Sequence, residues 1–269
     1  MSRLWVLTDS AALRERMPAA LVDALEARGT APRLVVADRA PASWRGLARG
    51  DLVVARTHQP GGLALLQAAE LHGARSFDSH AAVRCVRNKA QATLALARAG
   101  VAVPDTVVAY DAEHAARVGF PLVVKPVFGD GARGVRVVHV RRELDRLPWD
   151  GTPLLAQAYV ATGGVDLHLC VAGDRVWARR RPSPLVAPRS AGRPVAVSPS
   201  LARLALGCAR RFGLALAGVD VLETAGGAVV VDVDAFPDYR GIDEAPGVIA
   251  AALLAELGAR SPLSSSNGD

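Results

Sequence analysis

A mixed α/β and α+β fold of two lobes is what this sequence predicts, on three observations. Over the first eighty residues, short apolar runs alternate with stretches of helical spacing, the mark of a small parallel sheet with covering helices. From Phe120 onward β-rich runs follow one another closely, as antiparallel strands do. The chain has 269 residues, 51% of them hydrophobic and 22% charged, enough to bury a substantial core while remaining soluble.

In chain order, Leu4 to Leu7 is the first strand signal, and helical spacing runs from Ala11 to Ala27 before Gly29, a residue type that readily ends a helix. Arg33 to Ala37 and Leu52 to Ala55 repeat the strand signal, and Leu63 to Leu71 returns to helical spacing ahead of Gly73. A helix is predicted from Asn88 to Ala99, stopping at Gly100, and Val101 to Pro104 reads as an extended connector. Leu122 to Lys125 and Val135 to Val140 read as a hairpin with a glycine-rich tip, Pro153 to Val160 and Leu167 to Val171 as strands, and Pro182 to Pro199 as irregular. Leu201 to Phe212 is an amphipathic helix, two strands surround Gly226-Gly227, and Gly247 to Leu257 is a last helix. The expected division is residues 1–80, then 81–258 with a lid part at about 106–160 and a C-terminal part at about 161–258. Residues 259–269, rich in serine, are expected to be disordered.

The net charge of +6 raises nucleic acid as a partner, yet aromatic residues are only 4% and the arginines are spread along the chain, so neither stacking platform nor basic stripe is present. An anionic small substrate suits the charge equally well. No apolar run reaches the length of a bilayer span, and Met1-Ser2-Arg3 leads into a strand signal without a signal-peptide pattern, so a cytoplasmic protein is expected. Cys85, Cys170 and Cys208 lack metal-ligand spacing and read as reduced thiols in or near the core.

Only two of the 32 basic residues are lysines, Lys89 and Lys125. Lysine is a compact charge on a thin stem that can enter a slot too narrow for the guanidinium fork and meet a phosphate there. Lys125 ends a strand just before Gly129-Asp130-Gly131-Ala132-Arg133-Gly134. That run matches the dinucleotide fingerprint in letters only, because a strand follows it and not the helix whose N-terminus would seat a pyrophosphate. A glycine loop between antiparallel strands can instead cover phosphates as a flap; taken alone it is equally a flexible hairpin tip.

The segment Gly218 to Asp234 reads as two strands around a glycine turn. With a three-residue loop, Ala225 to Gly227, Asp220 lies opposite Asp232, and Asp234 projects from the same face. A two-residue loop would put Asp220 and Asp232 on opposite faces. Three converging carboxylates conflict with one another unless a divalent cation joins them, and hard carboxylate oxygens suit Mg²⁺; the alternative is a solvent-exposed strand end.

Taken together these residues resemble the ATP-grasp superfamily, in particular its RimK-like amino-acid ligases, from about Phe77 to Leu254. The resemblance is carried by Arg87-Asn88-Lys89, Val103-Pro104-Asp105-Thr106, Phe120 to Pro126 with the glycine loop, Leu155 to Val160, Asp166-Leu167-His168, Gly218-Val219-Asp220 and Asp232 to Pro237, in the family's order and spacing. It implies an ATP-grasp fold with a preceding parallel α/β lobe. It further implies ATP as nucleotide and Mg²⁺ as metal, with Mn²⁺ as an alternative, bound by Asp220, Asp232 and Asp234. Lys89 and Lys125 would hold the phosphates, Gly129, Gly131, Arg133, Gly134 and Asp166 would also bind the nucleotide, and Gln157, Ala158, Tyr159 and Val160 would meet the adenine, largely through backbone groups. The implied activity joins a carboxylate to an amine through an acyl phosphate, with Lys125 and Arg181 as catalytic residues. Substrates would be a small carboxylate and an amine, or a peptide; a homo-oligomer is compatible. A phosphotransferase acting on a hydroxyl and a non-catalytic ATP-binding protein are the competing functions. This chain departs from the family in carrying Asp232-x-Asp234 for Glu-x-Asn, His168 for arginine and Ala158 for glutamate. Arg240 is a further candidate for meeting an anionic substrate.

Overall fold

The computed structural model describes residues 2–39, 44–129, 132–188 and 190–259. The chain divides into two compact units, Met1–Ala81 together with Asp238–Asp269, and Ala82–Pro237.

The first unit holds a parallel four-stranded sheet of β1 (Leu4–Thr8), β2 (Arg33–Val36), β3 (Leu52–Arg56) and β4 (Arg75–Phe77), in the order β2-β1-β3-β4. β1 and β3 are buried along their whole length, as central strands of a parallel sheet are. The helix predicted from Ala11 is divided: a 3₁₀ turn at Ala12–Arg14 precedes an extended Glu15, and α1 runs Arg16–Glu26. α2 (Pro60–Leu71) starts three residues earlier than its apolar spacing suggests, with Pro60 in the first turn where its missing N–H costs nothing. The last helix of the chain, α8 (Ala245–Gly258), packs against α1. Arg75 ties it down by donating to the carbonyls of Glu256 at 2.6 Å and Leu257 at 3.3 Å. Contacts thus group α8 with residues 1–81, whereas the sequence reading assigned it to the second lobe. Of the serine-rich tail, residues 260–269 lie outside the described residues.

The stretch before the connector forms α3 (His80–Arg87), which runs from the end of the first unit's 1–81 segment into the second unit, and α4 (Lys89–Arg98). They are separated at Asn88, whose side chain accepts from Gln91 N at 3.0 Å as an N-cap. An antiparallel sheet follows, with β5 (Thr106–Ala109), β6 (Leu122–Pro126), β7 (Arg136–Val138) and β8 (Leu154–Ala158) in the order β5-β8-β6-β7. α5 (Ala112–Ala116) and α6 (Arg141–Leu144) complete it, and Leu122, Val124, Val138 and Ala156 form its core.

A second antiparallel sheet has β9 (Val165–Ala172), β10 (Arg175–Pro182), β11 (Arg193–Val195), β12 (Leu216–Thr224) and β13 (Gly227–Ala235) in the order β11-β10-β9-β12-β13. β11 lies inside the segment expected to be irregular. One face of this sheet presents Leu167, Leu169, Val171, Val219 and Val221 to Ala205, Cys208 and Phe212 of α7 (Pro199–Phe212). Ser198 caps the start of α7 and Gly213, with φ +68°, ends it. Alternation along the strands then directs Asp166, His168, Arg179, Arg181 and Asp220 to the opposite face.

Candidate active site

That opposite face and the β6–β8 sheet wall a cleft of about 860 Å³, open to solvent. β12 and β13 bring the acids to it. The connection between them is a two-residue turn, Ala225-Gly226, with Thr224 paired to Gly227, which corrects the expected three-residue loop. Asp220 nonetheless pairs with Asp232, because a β-bulge at Val231 shifts the register by one residue between Val221 and Asp220. Oxygen atoms of Asp220, Asp232 and Asp234 all lie within 4.8 Å of one another.

Both lysines reach the same place. Lys89, the first residue of α4, donates from Nζ to Asp232 Oδ2 at 2.5 Å, and its backbone N–H donates to Val127 O at 3.0 Å. Lys125, from β6, is buried and donates from Nζ to Val231 O at 2.8 Å. Burial pulls the Lys125 pKa below that of an ordinary lysine, with Lys89 acting in the same sense, while Asp232, Asp220 and Asp234 oppose the shift. On the other flank of the acids, Arg181 Nη2 and His168 Nδ1 each lie 2.6 Å from Asp220 Oδ1. Burial alone would lower the His168 pKa; Cys170 and Asp220 reverse the effect and raise it to about 10. Asp232 is thus paired with Lys89, and the buried Asp220 with Arg181 and His168.

Lys89, Lys125, Gly129, Arg133 and Asp166 line the cleft on the side of the acids, together with Asp220, Asp232 and Asp234. Gln157, Ala158, Tyr159 and Val160 line it along the end of β8. Gly134, at φ +75°, belongs to the glycine loop but not to the lining, and a Cβ there would come 3.0 Å from Pro126 Cγ. Gly131 lies outside the described residues. Arg181 is not among the lining residues; it meets the site through Asp220, and its buried Nε has no hydrogen-bond partner. Arg240 is exposed and pairs with Asp238 at 3.2 Å.

Ser183, Pro184 and Leu185, from the segment Pro182 to Pro199 expected to supply pocket side chains but not singled out within it, complete the wall beyond β10. Sequence reasoning missed Arg179, whose guanidinium holds the carbonyls of Ala191 at 2.5 Å and Gly192 at 2.7 Å. Gly192 was the available signal: its φ is +65°, and a Cβ would lie 2.4 Å from Arg180 O.

Carboxylates at this spacing can hold a hard divalent cation, and two ammonium groups beside them can neutralise a polyphosphate. No helix among the described residues is long and apolar enough to cross a membrane. Comparison with known proteins agrees with this chemistry. The chain matches the model of the RimK-like ATP-grasp domain over residues 86–257. It is 31% identical over 214 residues to a probable alpha-L-glutamate ligase of Alkalilimnicola ehrlichii, covering 73% of this chain and 71% of that one. It is 29% identical over 210 residues to the ribosomal protein bS6--L-glutamate ligase of Salmonella paratyphi B, covering 72% and 70%. Among solved structures, the ATP-grasp ligase PsnB complexed with a phosphomimetic variant of its minimal precursor, Mg and ADP superposes with a TM-score of 0.71 at 20% identity. That alignment covers 95% of this chain and 99% of PsnB. A domain match over more than half the chain, joined to a cleft in which Lys125 of β6 and Lys89 of α4 face the aspartates of β12 and β13, makes this chain a member of the RimK-like ATP-grasp ligases.

Proposed function

We propose that this protein is an ATP- and Mg²⁺-dependent ligase that activates a carboxylate as an acyl phosphate and joins it to an amine, releasing ADP and phosphate. The observation that carries the reading is the meeting of the chain's only two lysines with three aspartates in one cleft. The relatives named as glutamate ligases support an amino acid as the amine and a peptide or small carboxylate as the acceptor.

The donor set fits Mg²⁺: three hard carboxylate oxygens, from Asp220, Asp232 and Asp234, within reach of one ion. When bound, the ion would offset charge on the phosphate oxygens. Gln157 to Val160 would hold the base of the nucleotide, and Lys89 and Lys125 its phosphates. The substrate carboxylate attacks the γ-phosphorus, and the bond to the β-γ bridging oxygen breaks as ADP leaves. The two ammonium groups face the charge that spreads over the phosphoryl oxygens, where fixed positive charge lowers the barrier. Arg181, whose Nη2 donates to Asp220 Oδ1 at 2.6 Å, would act on the reaction by holding that carboxylate in place. The amine then attacks the acyl carbon, phosphate departs, and the amine's proton is lost to solvent.

The test is to incubate the protein with ATP, Mg²⁺ and pooled acids and amines, and to search for condensation masses alongside equal amounts of ADP and phosphate. Hydroxylamine should divert the reaction to a hydroxamate. ADP without free phosphate, with a phosphorylated alcohol as product, would instead establish a phosphotransferase.

A further inference from the structure

The two-residue turn between β12 and β13, continued without interruption, would pair Asp220 with Val231 and turn Asp232 to the far face. The bulge at Val231 prevents this. Its location is not fixed by side-chain chemistry, since Val229, Val230 and Val231 are identical and two of them could exchange the bulged role. What distinguishes Val231 is its carbonyl, which accepts from Lys125 Nζ at 2.8 Å. Lys125 belongs to the other sheet of the unit and is buried, so the contact ties β6 to the one irregular point of the metal-binding hairpin. An ammonium carries three N–H donors, and one given to Val231 leaves two for phosphate oxygens.

We propose that Lys125 is a positioning residue in addition to a phosphate ligand: its hydrogen bond holds the Val231 bulge, and thereby keeps Asp232 and Asp234 on the same face as Asp220. The proposal rests on the reading of those aspartates as the Mg²⁺ site. It gives the single lysine of the lid sheet a function even before nucleotide binds, because the acids are set in register in the empty enzyme.

The discriminating variant is Lys125→Met, which keeps the stem and removes both charge and donor. Hydrogen–deuterium exchange on the nucleotide-free, metal-free protein should show residues 229–235 exchanging about 10-fold faster than in wild type, the loss of one hydrogen bond from a charged donor. Residues 165–172 of β9 should be unchanged. Binding of Mn²⁺ alone, followed by the free-ion resonance, should weaken by several-fold, on the order of 3–10-fold. Charge alone predicts the opposite sign, since removing a cation beside three carboxylates should tighten metal binding. Unchanged exchange at 229–235, or Mn²⁺ bound as tightly or more tightly, overturns the proposal. Failure of the wild type to bind Mn²⁺ counts against the metal reading itself, and the exchange measurement still decides the tether. Should Lys125→Met not fold, the ¹⁵Nζ resonance of Lys125 in wild type carries the test: a slowly exchanging ammonium coupled to the Val231 carbonyl supports the tether, and a freely exchanging one refutes it.

Discussion

Replacing Lys89 by methionine removes the ammonium 2.5 Å from Asp232 Oδ2 while keeping most of the apolar stem. The two side chains are only 10% and 16% exposed, so water from the cleft replaces the ammonium incompletely. Breaking a buried pair from one side costs about 3–5 kcal/mol. Because Asp232 also acts on the Lys125 ammonium, the isolated carboxylate retains some compensation, which puts the expected loss near the lower limit, about 3 kcal/mol. At about 2–4 °C per kcal/mol for a chain of this size, the melting midpoint in metal-free buffer should fall by roughly 6–12 °C. Saturating Mg²⁺ offers Asp232 a replacement counter-charge and should restore about half of that loss, while raising the wild-type midpoint less because the ion must compete with the ammonium there. Thermal denaturation followed by circular dichroism, with and without Mg²⁺, reads both effects. Equal losses in the two buffers would refute the reasoning that one carboxylate serves the lysine and the metal alternately.

Asp232→Asn should reduce Mg²⁺-dependent ADP release by about 100-fold or more, since a metal ligand loses its charge; wild-type turnover would remove Asp232 from the coordination set. Lys125→Arg should weaken ATP binding by about 10-fold in a nucleotide titration despite conserving charge, because the broad fork does not fit the buried position of Lys125; unchanged affinity would discard the slot argument. Gly192→Ala should destabilise by about 1–3 kcal/mol in denaturant titration, given the positive φ and the 2.4 Å approach to Arg180 O, and a wild-type midpoint would show that the β10–β11 connection is relaxed. Burial raises the Cys208 thiol to about 11 from 9.0. Its contribution to stability is therefore complete below about pH 9 and lost as pH rises through about 11. Cys208→Ala should flatten the decline of the urea midpoint between those two values, and an unaltered slope would show that the thiol does not drive it.

The hairpin of β12 and β13 shows how far side-chain pattern reaches. Its alternation placed Asp220 beside Asp232, but through a three-residue loop, whereas the chain arrives there by a shorter turn and a bulge. Turn length and bulge compensate each other, and neither leaves a trace in a run of valines. Lys89 and Lys125 stood out by rarity, and both enter the cleft. Arg181 was singled out only through the family resemblance and Arg179 not at all, since a basic run by itself reads as a solvated face; both are buried because their partners come from other segments of the chain, Asp220 on β12 and the carbonyls before β11. Short elements such as β5, α6 and β11 were invisible because three or four residues carry too little periodicity. The division of the predicted helix at Glu15 likewise depends on a single extended residue.

The side chain of Gln157 is buried and turned toward β5, where its amide donates to Thr106 Oγ1 at 3.0 Å. One of its amide hydrogens is thereby committed within the sheet, and on the proposed placement of the base at residues 157–160 the distinction between purines would fall to main-chain groups there. Main-chain atoms are common to every residue type. Point substitution along this stretch should therefore scarcely alter the preference for adenine over guanine, and redirecting the enzyme to GTP would call for a change in the length or path of the segment.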